Sequence, residues 1–201
     1  MFDNKGLRRI PRLRGILFLA LSIPAEWSSS VAARTQGPLA EFNELILKYV
    51  VIHEKAVASV PPLQSSDDPA QILRNQRAIG DAIRKARPNA VPGEFFVPAV
   101  RVALLDLIRQ ELKGQEGASA RETILGEGNP KSRESPATVN LTINAVYSAN
   151  APLSTMPPSL LAVMPVLPEV LEFRFVGRDL ILRDRKANLI VDILKNAVPL
   201  N

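Results

Sequence analysis

The chain has 201 residues, 25 of them basic and 20 acidic, with a formal net charge of +5 and no cysteine. The lack of cysteine excludes a lipoprotein and a small secreted domain stabilised by disulfides, because both depend on cysteine sulfur. Five of the basic residues and two of the acidic ones lie in the first 33 residues. The 20 basic and 18 acidic residues that remain do not predict a nucleic-acid-binding protein.

Residues 1–33 have the order of a cleavable signal peptide. A basic start precedes an apolar run from Ile16 to Ala25, and the small residues Val31, Ala32 and Ala33 follow. A membrane-spanning helix needs about 20 apolar residues, so this shorter run predicts export without a transmembrane anchor. We expect a mature chain of residues 34–201 in the periplasm or medium of a bacterium, where a domain of this size needs no disulfides.

Residues 38–126 carry the pattern of a helical core of three to four helices. The first helix is predicted from Pro38 to Ser59. Its apolar stripe comprises Leu39, Phe42, Ile46, Tyr49, His53, Ala56 and Val60. The second begins at the N-cap Asp68, followed by Pro69, the order that helix starts prefer. We expect its buried edge to contain Ile72, Ile79, Ile83 and Ala86.

A third helix is predicted from Pro98 to a stop at Gly114. Ser119 and Glu122 have the spacing of a capping box, which predicts a short fourth helix that Gly126 and Gly128 end. Residues 127–137 are polar and contain proline, so we interpret them as a linker. The rest of the chain, residues 138–201, has a mixed character with strand signals.

Two segments open this C-terminal part. Alternating apolar and polar residues from Val139 to Tyr147 predict a half-buried strand. The span from Pro152 to Pro168 is rich in proline and apolar residues, with a short helix predicted at Pro158–Val163. This strap either wraps across the helical core or presents a docking surface to a partner.

A β-hairpin is predicted next. Its strands are Leu171–Val176 and Asp179–Arg183, joined by the tight turn Gly177-Arg178. The final segment, Ala187–Ala197, has apolar residues at helical intervals and predicts a terminal helix, with a strand over residues 189–193 as the alternative. The predicted fold class is therefore α+β.

Several C-terminal segments resemble a group of exported bacterial proteins of unknown function. They are Ala151–Leu153, Thr155–Pro158, Phe175–Leu180 and Ala187–Asp192. The resemblance extends back to residues 49–63 and 68–87. It implies export, and it implies no catalytic residue, cofactor or substrate.

His53 is the single histidine of the chain. It could act as a general base, or it could be a core residue bonded to a backbone carbonyl or to a buried carboxylate. One histidine without cysteine cannot form the usual zinc site, so we expect no metal. The chain also lacks a nucleophile elbow, a phosphate loop and a dinucleotide fingerprint, so we expect no cofactor.

Carboxylates offer the remaining route to an enzyme. Two acids about 5–9 Å apart can hydrolyse a glycosidic bond, and Glu172, Asp184 and Asp192 lie within residues 151–199, the stretch that contains the C-terminal segments of the resemblance. A small periplasmic hydrolase using these acids, with His53, is therefore the alternative function. Against it, we expect Glu172 and Asp184 to pair with arginines across the hairpin.

The leading hypothesis is a non-catalytic envelope protein that binds an unidentified envelope protein or polymer. The candidate binding residues are Arg174, Arg178 and Arg183 in a basic cluster, and Met156 and Met164 in the strap. We predict no nucleic-acid partner. A cytosolic nucleic-acid binder would be the third hypothesis, and it requires residues 1–33 not to be a signal peptide.

Overall fold

The computed structural model describes residues 37–63, 68–128, 141–148, 151 and 154–199. The predicted signal peptide (residues 1–33) and residues 129–137 of the predicted linker lie outside the described residues. Within them the chain has an α+β fold, as predicted, with five helices and one three-stranded antiparallel sheet. The helices are α1 (Pro38–Ala58), α2 (Pro69–Ala86), α3 (Pro98–Glu111), α4 (Gly114–Glu127) and α5 (Pro158–Val163). The strands are β1 (Leu171–Val176), β2 (Asp179–Asp184) and β3 (Leu189–Leu194).

The first two helices begin where the sequence predicts. Each has proline in its first turn, and the Asp68 carboxylate accepts a 2.9 Å hydrogen bond from the Ala70 N–H as the N-cap of α2. Five of the seven residues of the predicted α1 stripe are buried, and the two at its ends, Leu39 and Val60, are partly buried against the core. The buried edge of α2 is shorter than predicted, because Ile72 and Ala86 are exposed.

The predicted start of the fourth helix is wrong. Helix α4 begins at Gly114, so Ser119 lies inside the helix, where its carbonyl accepts a hydrogen bond from the Thr123 hydroxyl. Gly114 has φ +72°, a conformation that glycine adopts without strain, and this lets the chain turn directly from α3 into α4. Glu127, which we predicted to open the linker, is the last residue of α4.

The predicted hairpin is confirmed and β3 extends it. Val176 pairs with Asp179 across the two-residue turn, and Gly177 has φ +56°, where glycine is favoured. The predicted terminal helix over Ala187–Ala197 is wrong, and the alternative strand is present. All six residues of β3 are buried, so its apolar run reflects burial on both sheet faces.

The segment predicted as a strand over Val139–Tyr147 is irregular in its described part. Residues 141–148 make one isolated bridge, Val146 to Leu189, beside β3. A turn interrupts the segment at Asn144, which has φ +62° and donates to the Arg87 carbonyl at 3.1 Å. The predicted alternation still describes the packing, because Leu141, Ile143, Ala145 and Tyr147 all face a second apolar cluster.

The main core lies between the helices and one face of the sheet, and the second cluster covers the other face. Phe42 of α1, Phe96 and Phe173 of β1 stack with ring centroids 6.0–6.5 Å apart. Helix α2 approaches the end of the sheet at Gly80, where a Cβ would meet Leu189 at 3.6 Å. None of the described helices has the length and apolarity to cross a bilayer.

Candidate functional site

Asp184 lies in the core and has three hydrogen-bonding partners. Its side chain is fully buried and accepts from the Tyr49 hydroxyl at 2.8 Å and from the Ala187 N–H at 2.7 Å. Nδ1 of His53 lies 2.6 Å from the same carboxylate. Tyr49 and His53 are four residues apart on α1 and so project from one face of that helix. Of the predicted environments for His53, the buried carboxylate is the one present.

Tyr49 is protonated in this cluster. Burial raises the pKa of the Tyr49 hydroxyl, and the charge of Asp184 and its hydrogen bond raise it further, while Arg87 lowers it. The guanidinium of Arg87 lies 5.3 Å from the centre of the Tyr49 ring and 5.2 Å from that of Phe95. The phenol therefore stays neutral and donates to Asp184.

Asp192 is a second fully buried carboxylate, bonded to backbone alone in the described residues. It accepts 2.8 Å hydrogen bonds from the N–H groups of Gly93, Phe95 and Phe96, and one of 2.7 Å from its own neighbour Ile193. These bonds attach the loop before α3 to β3. Asp192 thus has the geometry of a residue that fixes a loop.

The three catalytic candidates in the core do not form an accessible site. His53 is 3% exposed and Asp184 and Asp192 are 0% exposed, and none of them lines any of the five main surface grooves among the described residues. The expected pairing of Asp184 with a hairpin arginine is wrong, because Asp184 points into the core. No three acids or histidines of the described residues cluster to hold a metal ion.

Glu172 does pair across the hairpin, as predicted. It contacts Arg183 of β2 and lies 2.9 Å from Arg174. Arg183 also donates to the Asn188 side chain at 2.7 Å and lies over the Tyr147 ring. The fourth carboxylate candidate is therefore also held in place by its partners.

A groove of about 590 Å³, the basic groove, lies beside this ion pair. Its charged lining residues are Arg174, Arg183, Arg185, Lys186, Glu169 and Glu172. Four cations face two carboxylates, so the groove has a positive excess. Arg178, the third arginine of the predicted cluster, lies at the hairpin turn, donates to the Val198 carbonyl at 2.9 Å and lines neither this groove nor the next.

A second groove, the strap groove, runs between the strap and β1 and has a volume of about 520 Å³. Its lining is mostly apolar and includes Met156, Leu161, Val166, Leu167 and Phe173, with Glu172 and Arg174 at one side. Leu161 and Val166 are 66% and 92% exposed. The two grooves adjoin, since both are lined by Glu172 and Arg174.

The strap combines both predicted roles. Leu160 and Met164 are buried in the main core, so Met164, a predicted binding residue, packs α5 onto the helices and does not line the strap groove. Met156 does line it. The Thr155 N–H donates to the Glu127 carboxylate at 2.7 Å, and this bond lowers the pKa of Glu127.

Sequence reasoning missed how the strap groove is built. The apolar composition of the strap does not separate its exposed residues from its buried ones, although Leu161 directly follows buried Leu160 on a helix of six residues. Helical geometry predicts that adjacent residues face different directions. That signal would have separated the exposed leucine from the buried one.

This chain matches no protein-family profile, no curated protein and no solved structure.

Proposed function

We propose that the protein is an exported, non-catalytic binding protein of the bacterial envelope, and that its binding site is the strap groove. The observation that carries this is the contrast between the two groups of candidate residues. Three of the four residues that could perform catalysis, His53, Asp184 and Asp192, are enclosed in the core, and the fourth, Glu172, is paired with two arginines. Leu161 and Val166, by contrast, are mostly exposed and line a groove.

The apolar lining supports a protein partner rather than a polymer of sugars. Covering an exposed leucine or valine side chain is worth about 1.5–3 kcal/mol when its burial is complete. Adjacent exposed apolar groups around a concave surface are typical of a protein-binding site. The basic groove beside it adds a charged rim, which is the usual arrangement around an apolar interface centre.

Export is tested separately. The native protein would be isolated with its cell fraction recorded, and its intact mass and N-terminal sequence determined. We expect a chain that starts at Ala33 or Arg34 outside the cytoplasm. An uncleaved cytosolic chain would overturn the export proposal and restore the nucleic-acid hypothesis.

Binding is tested by photo-crosslinking in the producing cells. A photoreactive amino acid would replace Leu161 or Val166, and in matched controls Leu47 or Val102, which are 61% and 60% exposed on α1 and α3. We expect one identified protein to be captured at the groove positions and not at the controls. The purified partner should then bind the Leu161→Asp variant at least tenfold more weakly than the Leu47→Asp variant. Equal capture at all four positions, or none at the groove, would contradict the proposal.

A further inference from the structure

We propose that the strap groove binds an extended peptide segment with alternating apolar and acidic side chains, which adds to the sheet at the unpaired middle of the edge strand β1. This inference rests on the proposed binding function and names the class of its partner. Three observations carry it: the backbone of β1, the apolar wall of the groove and the charge beside it.

The backbone of β1 presents hydrogen-bonding groups to the groove. Strand β1 is at the edge of the sheet, and Val176 pairs with Asp179 at the two-residue turn. In an antiparallel pair, the backbone N–H and C=O groups of every second residue bond to the partner strand, and those of the residues between them point away from it. Counting back from Val176, the residues whose backbone N–H and C=O groups point away from β2 are Phe175, Phe173 and Leu171.

The observed bonds agree with this alternation. The Phe175 carbonyl accepts from the Ser154 N–H, and the Leu171 N–H donates to the Pro168 carbonyl at 2.9 Å. Between them, the Phe173 N–H donates no hydrogen bond and its C=O accepts none outside the hairpin among the described residues. Both ends of β1 are thus hydrogen-bonded, and the backbone in the middle is unpaired at Phe173, a residue that is 7% exposed and lines the strap groove. An open edge of this kind pairs with an added strand.

The side chains of an added strand would alternate between the two sheet faces. On the helix-facing side they would meet Phe173 with Met156, Leu161 and Leu167 of the groove wall. Apolar side chains are required there, because a polar group would be taken out of water without a hydrogen-bonding partner. Val166, which is 92% exposed, lies beside them and would be covered in the complex.

On the opposite side the added strand would meet Glu172 and Arg174, whose side chains alternate with that of Phe173. They border the basic groove, where four cations face two carboxylates. The excess positive charge favours acidic side chains in the partner and disfavours basic ones. The expected partner segment therefore has apolar residues at every second position and aspartate or glutamate between them.

The test uses the ¹⁵N-labelled protein, isolated as the cells process it, and an eight-residue peptide of alternating aspartate and valine with blocked ends. We expect the Phe173 amide to shift on titration and its hydrogen exchange to slow at least tenfold. A peptide with lysine for aspartate, and one methylated on every backbone nitrogen, should each bind at least tenfold more weakly. No binding, equal binding of the three peptides, or an unchanged Phe173 amide would overturn the inference.

Two variants locate the site. Leu161→Asp should lower the affinity for the aspartate–valine peptide at least tenfold. Leu47 is a similarly exposed leucine on α1, and Leu47→Asp should leave this affinity unchanged. If the amide shifts on titration are confined to Arg183, Arg185 and Lys186, the peptide binds only a simple anion site, and the inference is overturned. If a protein crosslinks at Val166 but the Phe173 amide is unaffected by that purified partner, the binding function stands and the added strand is wrong.

Discussion

Nδ1 of His53 lies 2.6 Å from the carboxylate of Asp184, although 131 residues separate them in the sequence. The contact joins the middle of α1 to the end of β2 inside the main core. Together with the Tyr49 hydroxyl, it provides hydrogen-bonding partners for a carboxylate that has no contact with solvent. The arrangement is therefore a link between the helices and the sheet, and its first consequence is for stability.

Replacing Asp184 with alanine should lower the free energy of unfolding by about 3 kcal/mol, because Tyr49, His53 and the Ala187 N–H would lose a charged acceptor while remaining buried. Urea denaturation followed by circular dichroism measures this. Asp106→Ala is the control, since Asp106 forms an exposed pair with Arg109 on α3 and its loss should cost less than about 0.5 kcal/mol. A loss below about 1 kcal/mol for Asp184→Ala would contradict the structural role.

Tyr49 should make stability depend on alkaline pH. In the unfolded chain its pKa is about 10, and in the folded protein it is raised above that value by burial and by Asp184. Above pH 10 the unfolded chain releases this proton and the folded chain keeps it, so the unfolding free energy falls by about 1.4 kcal/mol per pH unit. The contribution is complete below pH 10 and is lost as the pH rises.

The Tyr49→Phe variant separates this effect from the titration of other groups. It should be less stable than the native protein by about 1 kcal/mol at pH 8, because one hydrogen bond is lost. The difference should shrink between pH 10 and pH 11, since phenylalanine has no proton to release. The midpoints of urea unfolding for both proteins at pH 8, 10 and 11 measure this difference. Parallel pH profiles would disprove the contribution of the Tyr49 proton to stability.

Asp192→Ala should release the loop before α3. The N–H groups of Gly93, Phe95 and Phe96 would lose their acceptor, so we expect their hydrogen exchange to accelerate at least tenfold and stability to fall by about 2–4 kcal/mol. Asp179→Ala is the comparison, because Asp179 accepts from the Asn196 N–H at 2.8 Å in a more exposed turn. Its effect should stay local to Asn196. Unchanged exchange at Phe95 in Asp192→Ala would refute this role.

Two glycines of α4 should respond to alanine in opposite directions. A Cβ at Gly117 would lie 2.3 Å from the Leu112 carbonyl carbon, so Gly117→Ala must displace backbone and should cost about 1–3 kcal/mol. A Cβ at Gly126 meets nothing within 4 Å, so Gly126→Ala should stabilise the helix by about 0.5–1 kcal/mol. Thermal unfolding of both variants tests the pair. Stabilisation by both substitutions would contradict the close packing of α4 against the end of α3.

The elements predicted correctly are those whose signals are local. The cap at Asp68 and the turn at Gly177 depend on the conformations of a few neighbouring residues, which the residue types specify directly. The start of α4 was predicted too late for the same reason. Ser119 and Glu122 match a local pattern, but the backbone at Gly114 had already turned into the helix.

The terminal segment shows where periodicity is insufficient. Residues 189–194 are apolar at five of six positions, and a strand buried on both faces has no alternation to distinguish it from a buried helix. Pairing with β2 on one side and with Val146 on the other decided in favour of the strand. Those neighbours come from distant parts of the chain, so no local pattern contains them.

The sequence by itself determined the α+β class, the helical core, the hairpin and the burial of most of the α1 stripe, because short-range conformational preferences and apolar spacing are sufficient for these. Only the tertiary structure decided that His53 meets Asp184, that Asp192 holds a loop, and that Leu161 and Val166 remain exposed beside an open strand edge. Each of these depends on which distant residues become neighbours. That choice is made when the helices and the sheet pack against each other, and it is not encoded at any single position.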